Sequence, residues 1–185
     1  MKVLGLVGEK GSGKQTFVNF FKSLHPDLNI RQVRFSDILV QTLILWDIPL
    51  TRPNLQNLAI IMNDSFGSMA LANAAKFSFE GDSQDVIILD GIRRKAELKL
   101  LKELKGTLIY ITADQNLRYQ RLKSRSEKVG ETGLTFEQFL KEEDSKAESE
   151  ISKISKKADQ KLENNNTLEE FKKKIGNLKI LRMYA

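Results

Sequence analysis

The chain contains no cysteine and one histidine, His25, in 185 residues. The first absence removes disulfides, zinc-thiolate centres and thiol nucleophiles together, and the second argues against a His-based triad or a His-rich metal site. Any chemistry must therefore run on Lys, Arg, Asp, Glu, Ser and Thr. Long apolar runs are missing too. No stretch approaches the ~18 residues that a membrane helix needs, and the opening MKVLGLVG lacks the apolar run and small-residue cleavage site of a signal peptide. The expectation is a soluble, cytoplasmic protein with no membrane partner. Nor is there an aromatic-basic platform of the kind that binds RNA, which argues against a nucleic acid partner despite a net charge of +6. That charge favours anionic ligands such as nucleotides. Many of the lysines alternate with glutamates in the last third and read as solvated surface. With 41% apolar residues the chain suits one domain, 1–185, and a monomer is the working expectation.

What is present is a set of short apolar runs without polar alternation, as in strands covered on both faces. They lie at residues 3–7, 30–35, 86–89 and 108–111, with a weaker one at 158–162. Between them apolar residues recur at helical spacing: Phe17, Phe20, Phe21 and Leu24, then Ile38, Leu39, Leu43 and Leu45, then Leu98, Leu101 and Leu104. Strand alternating with helix predicts an α/β fold, a doubly wound parallel five-stranded sheet that binds ligands at the carboxyl ends of its strands. Two of the three prolines, Pro49 and Pro53, bracket IPLTRP and open a largely helical stretch, so residues 37–80 read as a helical insertion. SEKVGETGLTF, residues 126–136, has the two glycines and mixed charge of a mobile lid. Ile151, Ile154 and Ala158 keep helical spacing before an Asn164-Asn165-Asn166 turn. Asp64-Ser65-Phe66-Gly67 reads as a helix interruption, His25 as a helix end and Trp46 as core.

One stretch carries chemistry. VLGLVGEKGSGKQTF places Gly8, Gly11 and Gly13 around Ser12 and follows them with Lys14. A polyphosphate is held by aiming backbone N–H groups and a helix N-terminus at it, and only glycine permits that curl and close approach. Gly8-Glu9-Lys10-Gly11-Ser12-Gly13-Lys14 fits G-x-x-x-x-G-K, with an apolar strand before it and an amphipathic helix after it. Lys14 would reach the terminal phosphates. Gln15 stands where a hydroxyl usually does, and Thr16 follows one position later, so Mg2+ would be held mainly through water and phosphate oxygens.

G-x-x-G-S-G-K-x-T resembles the adenylate kinase form of the P-loop, and three later stretches resemble that nucleoside monophosphate kinase family in order. Phe35-Ser36-Asp37-Ile38-Leu39 is similar to the start of its monophosphate-binding helix. Leu89-Asp90-Gly91-Ile92-Arg93-Arg94 is similar to its strand-end D-G-x-x-R, and Tyr119-Gln120-Arg121-Leu122-Lys123-Ser124-Arg125 to its R-x-x-x-R at the lid hinge. The resemblance implies a P-loop NTPase fold and transfer of the γ-phosphate of ATP, with Mg2+, to a small-molecule nucleotide acceptor. It assigns ATP to Gly8–Thr16 and Arg121, catalysis to Lys14, Asp90, Arg94, Arg121 and Arg125, and the metal to Asp90 and Thr16. It assigns the acceptor to Ser36, Asp37, Arg93 and Arg94. The chain departs from the family at Val40, where adenylate kinases carry an arginine, and at Leu98, near a base-reading glutamine. Arg52, Gln56 and Asn57 are the candidates to replace them. Dephospho-CoA kinase shares much of this plan; there the acceptor is a hydroxyl and Asp37 a candidate base. A nucleotide-binding protein without transfer activity is the remaining alternative.

Overall fold

The computed structural model describes residues 1–124, 135–143 and 146–178. Strands β1 (Lys2–Val7), β2 (Ile30–Arg34), β3 (Val86–Asp90), β4 (Thr107–Thr112) and β5 (Gln160–Glu163) form one sheet in the order β2-β3-β1-β4-β5, each neighbouring pair parallel. The helices are α1 (Lys14–Leu24), α2 (Phe35–Leu45), α3 (Arg52–Phe66), α4 (Ala70–Phe77), α5 (Lys95–Glu103), α6 (Gln115–Lys123), α7 (Phe136–Glu143), α8 (Lys146–Ser155) and α9 (Leu168–Gly176). The expected doubly wound five-stranded sheet is therefore the observed one, and its weakest run is the edge strand β5.

The unbroken apolar runs are explained by burial on both faces. Leu4, Leu6, Ile88, Ile109 and Ile111 pack with Phe17 and Phe21 of α1 and Phe171 and Ile175 of α9. On the other face Val3, Val7, Ile87, Leu89 and Leu108 meet side chains from α2, α4, α5 and α8. Complete burial of such a side chain contributes roughly 1.5–3 kcal/mol each, enough to fix the central strands without help from charged groups.

Between β2 and β3 the chain forms three helices, α2, α3 and α4, packed on one another. Thr51 Oγ1 accepts from the Asn54 amide at 3.3 Å to start α3, whose first turn also holds Pro53. Gly67, at φ 88°, ends that helix, as expected for DSFG. Trp46 is a correction: it is 63% exposed. The helix ends at Leu45, the chain reverses at Asp47 with φ 53°, and Ile48 folds back so that its amide donates to Leu43 O at 2.9 Å. Ile48 rather than the indole thus packs against the core. Arg125 and residues 126–134 of the expected lid lie outside the described residues; Thr135 and Phe136, its last two, open α7. There Thr135 Oγ1 accepts from the Gln138 amide while Gln138 Oε1 accepts from the Thr135 amide. No helix among the described residues is long and apolar enough to cross a membrane.

Candidate active site

Gly13 caps α1 in the left-handed conformation, φ 106°, and no side chain caps the helix. The amides of the first turn therefore face outward with the positive end of the helix dipole. A Cβ at Gly13 would sit 2.3 Å from Asn164 Nδ2, and one at Gly8 would sit 2.1 Å from the Ile111 carbonyl oxygen. Neither position admits a side chain. Ser12 is fully buried, and its Oγ has no hydrogen-bond partner among the described residues. The Lys14 ammonium lies back along the loop, donating to Gly8 O at 2.7 Å and Glu9 O at 2.9 Å. Tyr110 donates to Glu9 Oε1 at 2.5 Å. Burial, reinforced by that carboxylate, pushes the phenol up to about 12, so Tyr110 remains a donor across the working pH range. Thr16, in the first turn of α1, is half-buried.

Two arginines brace the loop from α6. Arg121 donates to Gly11 O at 3.4 Å and to Asn164 O at 2.9 Å, and burial lowers its guanidinium below the ordinary value. Asn164 in turn donates to Ser12 O at 2.9 Å. Arg118, only 6% exposed, forms a two-pronged pair with Glu143 at 2.8 and 2.5 Å, reaches Ala113 O and Lys10 O, and lies over the Phe139 ring. Arg121 was expected here; Arg118, Glu143 and Asn164 were not. The signals were present: Arg118 stands one helical turn before Arg121, and Asn164 heads the asparagine turn.

On the other side, Gly91 and Ile92 both donate to Leu6 O, at 3.1 and 2.9 Å, which fixes the end of β3 against the start of the loop. Asp90 is 8% exposed. Its Oδ2 accepts from Gln32 at 2.7 Å and faces Arg34 Nε at 3.4 Å, while Oδ1 has no partner among the described residues. Gln32 and Arg34, also unforeseen, share one face of β2 by its period of two. The amides of Arg93 and Arg94 both donate to Glu97 Oε2, at 2.6 and 3.0 Å, which positions the two arginines at the head of α5. Arg94 Nη1 is buried without a partner among the described residues. Ser36 and Asp37 are exposed in the first turn of α2, directly after β2. Arg52 opens α3, and Gln56, a turn later, is exposed. Leu98 is a core residue, 6% exposed, which explains why no polar side chain occupies that position.

Glu97 supplies a pH test. Burial raises its pKa against the opposing effect of the Arg93 and Arg94 amides and side chains. A raised folded-state value contributes stability that is complete below the unfolded carboxylate pKa and is lost as pH rises through the folded one. Urea melts across that acidic interval should show wild type losing stability with rising pH relative to Glu97→Gln. A constant difference between the two proteins would show that Glu97 is not the titrating group.

The structure of TT1252 from Thermus thermophilus superimposes with a TM-score of 0.61 at 15% identity, covering 100% of this chain and 98% of that one. Shikimate kinase from Bacteroides thetaiotaomicron superimposes with a TM-score of 0.62 at 12% identity, covering 98% of each. The five-stranded order is theirs as well. The α/β fold matches that of P-loop kinase structures. In sequence, the chain is similar to a UPF0200 protein of Sulfurisphaera tokodaii, 27% identical over 180 residues and 96% of each chain. A UPF0200 protein of Hyperthermus butylicus is 24% identical over 170 residues, 91% of this chain and 88% of that one. No protein-family model matches.

Proposed function

We propose that this P-loop kinase fold serves an ATP-dependent phosphotransferase whose acceptor is a nucleotide, in the manner of a nucleoside monophosphate kinase. The observation that carries the reading is the meeting of the glycine loop, Lys14 and the uncapped start of α1 with the partnerless Oδ1 of Asp90 at the adjoining strand ends. The residues fit both implied groups. The cradle at Gly8 and Gly13 has no room for a side chain, and the buried hydroxyl of Ser12 lacks a partner, as suits a triphosphate bound through backbone amides. Asp90 offers one carboxylate oxygen to Mg2+, which would offset negative charge on the phosphates.

Phosphoryl transfer needs positioning and positive charge more than covalent help. An acceptor oxygen bonds to the γ-phosphorus as the bond from that phosphorus to the β–γ bridging oxygen breaks, leaving ADP. Lys14 follows the charge on the moving group, Arg94 meets it from the end of β3, and Arg121 with Asn164 keeps the loop in shape. A phosphate acceptor oxygen carries no proton at neutral pH, so no base is required. A hydroxyl acceptor, as in the dephospho-CoA kinase resemblance, is the second reading. It is favoured by the exposed carboxylate of Asp37 at the start of α2, which could take the proton.

A coupled ADP-release assay across ribo- and deoxyribonucleoside monophosphates and dephospho-CoA separates these readings. Turnover that depends on one acceptor class is the expected result, and none above the ATPase background would refute transfer. Binding has its own test. ADP or ATP with Mg2+ at a hundredfold excess over Kd should stabilise the fold by about 2.7 kcal/mol, visible as a raised melting temperature, and free phosphate far less. A melt unmoved by millimolar nucleotide would remove the loop assignment.

A further inference from the structure

Gln15 stands directly after the loop lysine, where the motif ordinarily has a hydroxyl for the metal. Both ends of its side-chain amide are engaged. Oε1 accepts from Gln32 at 3.1 Å and from Arg34 Nη2 at closer range, and Nε2 donates to Asn19 Oδ1 at 2.7 Å. Arg34 is held a second time, its Nε facing Asp90 Oδ2 at 3.4 Å. Two acceptors on different elements, α1 and β3, thus fix one guanidinium. Its remaining nitrogen, Nη1, has no partner among the described residues, and the side chain is 41% exposed. Arg31 on the same strand makes the contrast, since it closes an exposed ion pair with Asp82 away from the loop.

Restraining an arginine costs side-chain entropy, and a surface ion pair alone recovers little of it. A fixed fork with one open nitrogen suits a planar or tetrahedral oxyanion instead. The surrounding charge agrees. The carboxyl ends of β1, β2 and β3 lead into Lys14, Arg34, Arg93 and Arg94, against the carboxylates of Asp90 and Asp37. Arg94 Nη1, buried and partnerless, follows the strand next to Arg34. Val40 leaves α2 without an arginine, while Arg34 supplies one immediately before that helix.

We infer that Arg34 receives the anionic group of the acceptor, and that Gln15 is its positioning residue rather than a ligand of the metal. The inference rests on the phosphotransferase reading and narrows it: the acceptor carries its own phosphate, bound at the β2–β3 edge of the sheet. Gln15 then has a function that a serine or threonine could not perform, because neither hydroxyl would reach across to β2.

The test uses the full chain saturated with Mg2+ and the non-hydrolysable analogue AMPPNP, so that the γ-phosphate position is filled, and titrates inorganic phosphate by calorimetry. Arg34→Gln should bind phosphate about tenfold more weakly or worse, the size of one charged hydrogen bond lost, with AMPPNP affinity held within about twofold. Gln15→Ala, which releases the guanidinium without removing it, should weaken phosphate binding in the same direction and less. Arg34→Lys keeps the charge without the fork and should fall between Arg34→Gln and wild type. Equal phosphate affinity in wild type and Arg34→Gln, or no phosphate binding by wild type, overturns the inference. So does a loss confined to AMPPNP or to the Mg2+ requirement. With a productive acceptor, Arg34→Gln should raise its KM and leave the KM of ATP unchanged. Failure of the larger reading looks different: wild type that neither binds AMPPNP nor phosphorylates any acceptor.

Discussion

Lys14→Ala is expected to lower kcat by about 10²–10³-fold, the usual cost of removing one preorganised donor from a developing oxyanion, while leaving thermal unfolding unchanged. The separation follows from where the lysine sits. It is the first residue of α1, its side chain is half-buried, and its ammonium returns to the carbonyls of Gly8 and Glu9, groups on its own loop. Alanine keeps the helix, being the best helix former, and the loop is still braced by Arg121, Asn164 and Tyr110. A charge that follows the γ-phosphate acts most strongly in the transition state, so kcat and kcat/KM should fall together. Single-turnover rates beside a melting curve decide it. A folded Lys14→Ala protein with wild-type turnover would show that the lysine serves the loop and not the chemistry.

Arg118→Ala should be the most destabilising single change at the site, by about 3–5 kcal/mol, because it strands a carboxylate in a partly buried position. Arg118 and Glu143 have side chains 7% and 14% exposed, and the guanidinium also satisfies the Ala113 and Lys10 carbonyls. That loss is a large part of the 5–15 kcal/mol that holds a domain of this kind together. The cause can be isolated. Arg118→Met with Glu143→Leu replaces both charges by apolar groups of comparable bulk and should recover much of what Arg118→Ala loses. Urea midpoints of the single and double variants provide the measurement. A double variant as unstable as the single one would locate the cost in the lost carbonyl contacts rather than in the stranded charge.

The centre of the sheet was legible because β1, β3 and β4 are largely buried on both faces and read as apolar runs, whereas the edge strands β2 and β5 carry Arg31, Gln32, Arg34, Lys161 and Glu163 and gave a weaker signal. The phosphate loop was legible because Gly8, Gly11, Gly13 and Lys14 fall within seven residues of one another along the chain. Gln32, Arg34, Arg118 and Asn164 escaped because their partners are remote: Gln15, Asp90, Glu143 and Ser12 lie between 17 and 152 residues away along the chain. A single basic residue on a strand or helix reads alike whether it faces solvent or a loop. Trp46 misled for another reason. Its position continues the stripe of Phe35, Leu39 and Leu43, and only the reversal at Asp47, which brings Ile48 into that place, turns it outward.

The contacts that shape the loop also set an order of events during biosynthesis. Gly8 abuts Ile111, Lys10 O accepts from Arg118 and Gly13 abuts Asn164, so three later segments enclose a loop made among the first residues. At 5–20 residues per second, the ~150 residues between Lys14 and Asn164 take on the order of ten seconds to emerge from a ribosome. Ile111 and Arg118 emerge within that interval, but until Asn164 follows them Gly13 has no wall and the loop stays open on one side. A nascent chain released short of Asn164 should therefore pass ATP by, though it already carries the whole of the motif.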